Sequence, residues 1–216
     1  ERVMALTKEQ VKEFKKAEKE AERTSDLTSV ASDLIEAGDN AWTKKVYKKA
    51  EDMAEDSSDL CEVADGLCEK LGDKEWGKKI YKKAEGKVDG CSDIITLADS
   101  LCEYLGDKEW AKKVYEKAED EAKKSSNYCS LADSLCEYLR DKEWAKKMYK
   151  KAEDVIDGTD PWSFYDFTGL AKGLCKHLGD KEWAKKHYKN ALAGIQKIDH
   201  EEWQVKELKE KLEELG

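Results

Sequence analysis

The sequence predicts an all-α fold, a right-handed α-solenoid (superhelix) of about five two-helix repeats with a capping helix at each end. Three observations carry that prediction. Trp42, Trp76, Trp110 and Trp144 follow one another at a constant spacing, and Trp183 closes the series five residues late. A single Pro and 13 Gly in 216 residues leave little material for long loops, while the helix formers Ala, Leu, Glu and Lys dominate. Charged residues (41%) outnumber hydrophobic ones (39%), a balance that would mean disorder in an unpatterned chain. Here 7 Trp and 9 Tyr recur in step, which fits thin packing with much solvated surface.

Each repeat reads as two helices. Gly72-Asp73-Lys74-Glu75-Trp76 returns unchanged at 106–110 and 179–183, with Arg140 replacing the Gly in the fourth copy and Gly38-Asp39-Asn40-Ala41-Trp42 the most diverged version. A Tyr five residues after each Trp (Tyr47, Tyr81, Tyr115, Tyr149, Tyr188) and an Ala three further (Ala50, Ala84, Ala118, Ala152, Ala191) complete the apolar face of the second helix. In the third copy Ile94, Ile95, Ala98, Leu101, Cys102 and Leu105 make the stripe of the first helix, with Ser92 a candidate N-cap, as are Ser58 and Ser126 in the copies beside it. Gly106 sits where a helix end favours a left-handed residue, and Asp107 is placed to cap the second helix. Arg140 at the same turn should cost up to ~1 kcal/mol if it is left-handed.

The expected organisation is one domain. A capping helix in 1–23 precedes repeats at about 24–57, 58–91, 92–125, 126–159 and 160–192, and a second cap fills 193–216. Thr7-Lys8-Glu9-Gln10 is a capping-box pattern, and Phe14 to Glu18 echoes the second helix of the repeat. Val205, Leu208, Leu212 and Leu215 form a narrow stripe on the last helix. No pair of this size buries its own stripes, so copies must stack.

The period, and the pattern Gly106, Asp107, Ala111, Tyr115, Ala118, resemble the tetratricopeptide repeat over roughly residues 24–192. The first helix departs from the family: Leu97-Ala98 lies one residue further from Gly106, Cys102 stands where a Tyr is expected, and the closing Pro is absent. The resemblance implies scaffold or adaptor work without catalysis, with the first helices lining a concave groove that holds a peptide or protein. Mapped on this chain, it places Glu62, Glu69, Ser100, Glu103, Tyr104, Ser134, Glu137, Tyr138 and His177 in the groove, with Asp59, Asp93, Asn127 and Asp166 among their neighbours. Glu69, Glu103 and Glu137 would form a carboxylate ladder beside Tyr104 and Tyr138, suited to a basic segment. The competing reading is of solvated positions repeated because the unit was copied.

The fifth copy holds an irregular stretch, Gly158 to Phe167, with the one Pro and four aromatics, Trp162, Phe164, Tyr165 and Phe167. It reads either as a plug between copies or as an aromatic anchor for a partner. Cys68, Cys102, Cys136 and Cys175 each precede their Trp by eight residues, and Leu34 holds that slot in the first copy, so core filling is expected; Cys91, at a junction, is the candidate exposed thiol. A Cys-based metal or redox role stays as an alternative, and so does a spacer role within a longer array. His177, His187 and His200 offer no shared spacing for a metal. No catalytic, phosphate-binding or metal motif is present, so no enzyme activity, cofactor or metal is expected.

Lysine pairs on the second helices (Lys44, Lys45, Lys48, Lys49 and their equivalents) could form a basic ridge, but acidic residues follow each set and the net charge is -9, which argues against a nucleic-acid partner. No apolar run reaches 18 residues, so no membrane partner is expected. Unpaired cysteines and the absence of a secretory pattern in Glu1 to Leu6 make a cytoplasmic setting the expectation. A protein or peptide partner, with self-association open, is the reading.

Overall fold

The recurring Asp sets where each pair of helices turns. In the computed structural model, which describes residues 6–198 and 202–216, the Asp side chain before every second helix accepts the backbone N–H of the following Trp. The bonds run from 2.9 Å at Asp39–Trp42 to 3.1 Å at Asp73–Trp76. The sequence therefore fixes α3 (Asn40–Met53), α5 (Lys74–Glu85), α7 (Lys108–Glu121), α9 (Lys142–Val155) and α11 (Lys181–Ile195) at their first residue.

The first helices are α2 (Thr24–Glu36), α4 (Ser57–Glu69), α6 (Cys91–Ser100), α8 (Ser125–Ser134) and α10 (Phe164–Gly173). Ser58, Ser92 and Ser126 are not their caps; each is already the second helical residue, and the N-cap positions fall to Asp56, Gly90 and Lys124. Two adjacent serines, or Cys before Ser, leave the cap ambiguous by a residue or two in sequence. Burial decides it, because Ser57, Cys91 and Ser125 turn inward. Cys91 is thus buried at 7% exposure, contrary to the expectation of an exposed thiol.

One residue more separates Ala64 from Gly72 than Ala31 from Gly38, and the longer form holds in every later copy. The surplus is absorbed by a π turn. Leu101–Leu105, Leu135–Leu139 and Leu174–Leu178 are π-helical, and the N–H of Asp107, Asp141 or Asp180 reaches six residues back to the Leu at its start. Asp73 does the same to Leu67, whereas Asp39 reaches only five back, to Leu34. Leu34 therefore matches Leu67 rather than Cys68, which explains both its complete burial and the offset from the tetratricopeptide pattern. The turns end on left-handed residues, Gly106 (φ 79°), Gly179 (φ 68°) and Arg140 (φ 58°).

The chain divides into two compact units, Glu1–Val114 and Tyr115–Gly216. In the first, α2 packs on α3 and α4 on α5, while α2, α4 and α6 stack in a row and α1 (Lys8–Glu20) covers α2. In the second, α8 pairs with α9 and α10 with α11, α8 stacks on α10, and α12 (Glu202–Glu214) covers α11 through buried Leu208. The repeating Tyr and Ala of the second helices are all at or below 2% exposure and fill the pair interiors. Thr7 and Gln10 close the expected capping box on α1.

Candidate binding surface

Successive second helices are clasped by a repeated contact. Trp42 Nε1 donates to Glu18 on α1 (2.8 Å), Trp76 to Glu51 on α3 (3.2 Å) and Trp110 to Glu85 on α5 (3.2 Å). In the second unit Trp144 donates to Glu119 (2.6 Å). Lys49, Lys83 and Lys151, seven residues after their Trp, bind the same carboxylates. Burial raises the pKa of Glu18, Glu51 and Glu119, but the lysine and indole bonds outweigh it and hold all three below the ordinary range. Lys44 and Lys78 pair with Asp73 and Asp107, so part of the lysine rows is laced with carboxylates. Glu18 in this role shows that α1 stands in for a second helix.

A half-buried polar node lies beneath the first-helix face of the first unit. Asp65 accepts the Tyr81 hydroxyl (2.5 Å) and the Ser100 hydroxyl (3.3 Å), joining a first helix to its own second helix and to the next first helix. Burial pushes the Asp65 carboxyl up to about 6; the two hydroxyl bonds oppose this, and the charges of Glu103 and Glu62 add to it. In the second unit Tyr149 donates to Asp133 in the same way, and His177 Nε2 lies 3.8 Å from that carboxylate.

The predicted groove residues separate into three groups. Ser100 and Ser134 are buried (6% and 8%), so they serve packing between helices and not the surface. Asp59, Asp93 and Asn127 are tied down at helix starts, accepting the backbone N–H of Glu55, Asp89 and Lys124. Glu62 is half-buried and accepts the Thr28 hydroxyl of the preceding first helix at 2.5 Å. His177 is almost fully buried beside Asp133. Glu69 and Glu103 remain exposed with Tyr104 half-exposed between them; burial raises the Tyr104 pKa, and Glu103, Asp65 and Glu69 raise it further. In the second unit, Glu137 is exposed and Tyr138 half-exposed.

The insertion is split between the two roles that sequence offered it. Pro161–Ser163 forms a short 3-10 turn capped by Asp160, and the Ser163 hydroxyl donates to the Asp157 carbonyl (2.6 Å). Phe164 is 5% exposed, and Phe167 stacks on His187 of α11 at 5.7 Å between ring centres. Gly194 permits this approach, since a Cβ there would lie 3.2 Å from the Pro161 carbonyl. Trp162 and Tyr165 face outward, each 58% exposed. Sequence weighs His187 only as a metal ligand, so its core position is missed there, as is the Trp–Glu clasp. The clasp's signal was present as a Glu 25 residues before Trp76, Trp110 and Trp144.

All seven cysteines are free thiols, and among the described residues no three His, Cys, Asp or Glu side chains converge on a metal position. His200 lies outside the described residues. No described helix is long and apolar enough to cross a membrane. In comparisons with known proteins, no family model and no curated protein sequence matches the chain.

Proposed function

We propose that this chain is a protein- or peptide-binding scaffold of tetratricopeptide-like type, working without chemistry of its own in a reducing, cytoplasmic setting. The supporting observation is the placing of Tyr104 within reach of Glu69, Glu103 and Asp65, carboxylates drawn from two stacked copies. A half-exposed ring among carboxylates favours a Lys- or Arg-bearing segment, through charge attraction and contact with the ring face. Trp162 and Tyr165 offer a second, aromatic contact in the other unit, of the residue type that dominates binding hot spots. The free thiols favour the reducing compartment.

The test is fluorescence anisotropy with a labelled library of Lys/Arg-containing dodecapeptides. Glu69→Gln with Glu103→Gln should weaken the best binder about tenfold at low salt, and raised salt should mimic the effect. Binding that ignores both changes, or no binding by any basic peptide, would remove the reading.

A further inference from the structure

His187 occupies the position four residues after its Trp, where the other copies carry Val46, Ile80, Val114 and Met148. All five side chains are buried to 1% exposure or less. An imidazole has therefore replaced an aliphatic core residue in the one copy that also carries the insertion. Neither ring nitrogen has a hydrogen-bond partner, although Nε2 lies 3.5 Å from Glu153 Oε1. Leaving both nitrogens unpaired in the core is unfavourable, and nothing in the packing of the repeat requires it.

The charges acting on the ring are Glu153 and Lys150 from α9 and Lys186 from its own helix, while the insertion presents the uncharged ring of Phe167. Glu153 is already shared between Lys150 (2.8 Å) and Lys186 (2.5 Å). Burial would raise its pKa, but those bonds hold it at about 2, so it keeps its charge through mild acid. The same two lysines oppose a third positive charge beside them. Burial first, and then Lys186 and Lys150, lower the pKa of His187, with Glu153 only partly compensating. A proton placed on this ring has no room to be solvated while Phe167 lies against it.

We propose that His187 is a proton-sensitive latch: its neutral imidazole holds the 158–167 insertion on α11, and protonation releases that segment together with Trp162 and Tyr165. This inference rests on the reading of the insertion as a binding element, because release would change how those two rings are presented.

The size of the effect follows from linkage. If the freed ring titrates at its ordinary 6.5 and the latched ring stays neutral, the opening equilibrium grows about tenfold between pH 7.5 and 5.5. Amide hydrogen exchange on the full chain tests it, read as protection factors at the two pH values. Residues 158–168 should lose about tenfold in protection on acidification, with α8 and α9 little changed. His187→Met, which installs the residue found at Met148, should abolish the pH dependence. Equal pH ratios in the two proteins, or a loss shared evenly by α8, α9 and α11, would overturn the latch. In the unaltered protein, nuclear magnetic resonance of the imidazole gives a second test, in which titration near 6.5 with the insertion still protected would also overturn it. Neither experiment involves a partner, so failure here leaves the peptide-binding reading to its own assay.

Discussion

Replacing Asp65 by Asn makes the polar node of the first unit measurable. The carboxyl is raised from an ordinary 3.8 to about 6, chiefly by burial, so the folded chain holds a proton that the unfolded chain has already lost at pH 5. The stabilisation is complete below pH 3.8 and disappears as pH rises through 6; above that, the gap corresponds to an ionisation penalty of about 3 kcal/mol. At pH 4.5 about 1 kcal/mol of that penalty applies, so this residue alone should remove about 2 kcal/mol between pH 4.5 and 7.5. Asn keeps an acceptor oxygen for Tyr81 and Ser100 but carries no charge. Urea unfolding of both proteins at the two pH values isolates the effect. Whatever constant cost or gain the amide brings, the difference between Asp65→Asn and the unaltered chain should shift by about 2 kcal/mol in favour of Asn at pH 7.5. A difference that does not move with pH would refute the reasoning, since every other titrating group is common to both proteins.

Three further expectations follow from particular contacts. Gly173→Ala should destabilise the second unit by ~1–3 kcal/mol in urea melts, because its Cβ would stand 2.8 Å from Tyr149 Cε1 and 2.9 Å from Asp133 Oδ1. Arg140→Gly should stabilise by up to ~1 kcal/mol, since Arg140 is left-handed (φ 58°) and exposed, and an unchanged melting temperature would show that the turn carries no strain. Cys61, pushed up to about 12 by burial and then by the charge of Asp65, should resist a thiol reagent at pH 8 until the chain is unfolded, together with buried Cys68, Cys91 and Cys102; prompt labelling of any of these in the native protein would contradict their burial.

Much of the fold was legible because its signals are local. An Asp three residues before a Trp caps a helix through its own side chain, and a Gly before that Asp marks a left-handed turn, so the start of each second helix could be read directly. The same logic located Arg140 as the exception, and its φ of 58° agrees. What could not be read depends on partners distant in sequence. The extra residue in copies two to five could have been a loop insertion or a slip of the first helix. The shared bond from each Asp N–H back to the equivalent Leu carbonyl makes it a π turn. Groove positions carried over from a helix of different phase were displaced for the same reason, which is why Ser100 and Ser134 are buried and Asp59 and Asp93 serve helix starts. Glu103 and Tyr104 lie within the turn that absorbs the surplus residue, and Glu69 at the end of α4; Glu69 and Glu103 are exposed and Tyr104 half-exposed. In the insertion, composition announced an aromatic cluster but could not divide it. The division came from Gly194 and His187 on a helix further along the chain.

Between the second helices up to α9, stability passes from one helix pair to its neighbour through the Trp–Glu clasps. Glu51 takes Trp76, Lys83 and Lys48 at once. Residue-resolved hydrogen exchange of Glu51→Ala measures the claim directly. Protection should fall in α3 and α5, which lose their shared acceptor, and stay as it was in α8 and α9. Protection falling uniformly along the chain would point to one common core, and protection unchanged at α5 would show that the clasp passes no stability on; either result contradicts the account.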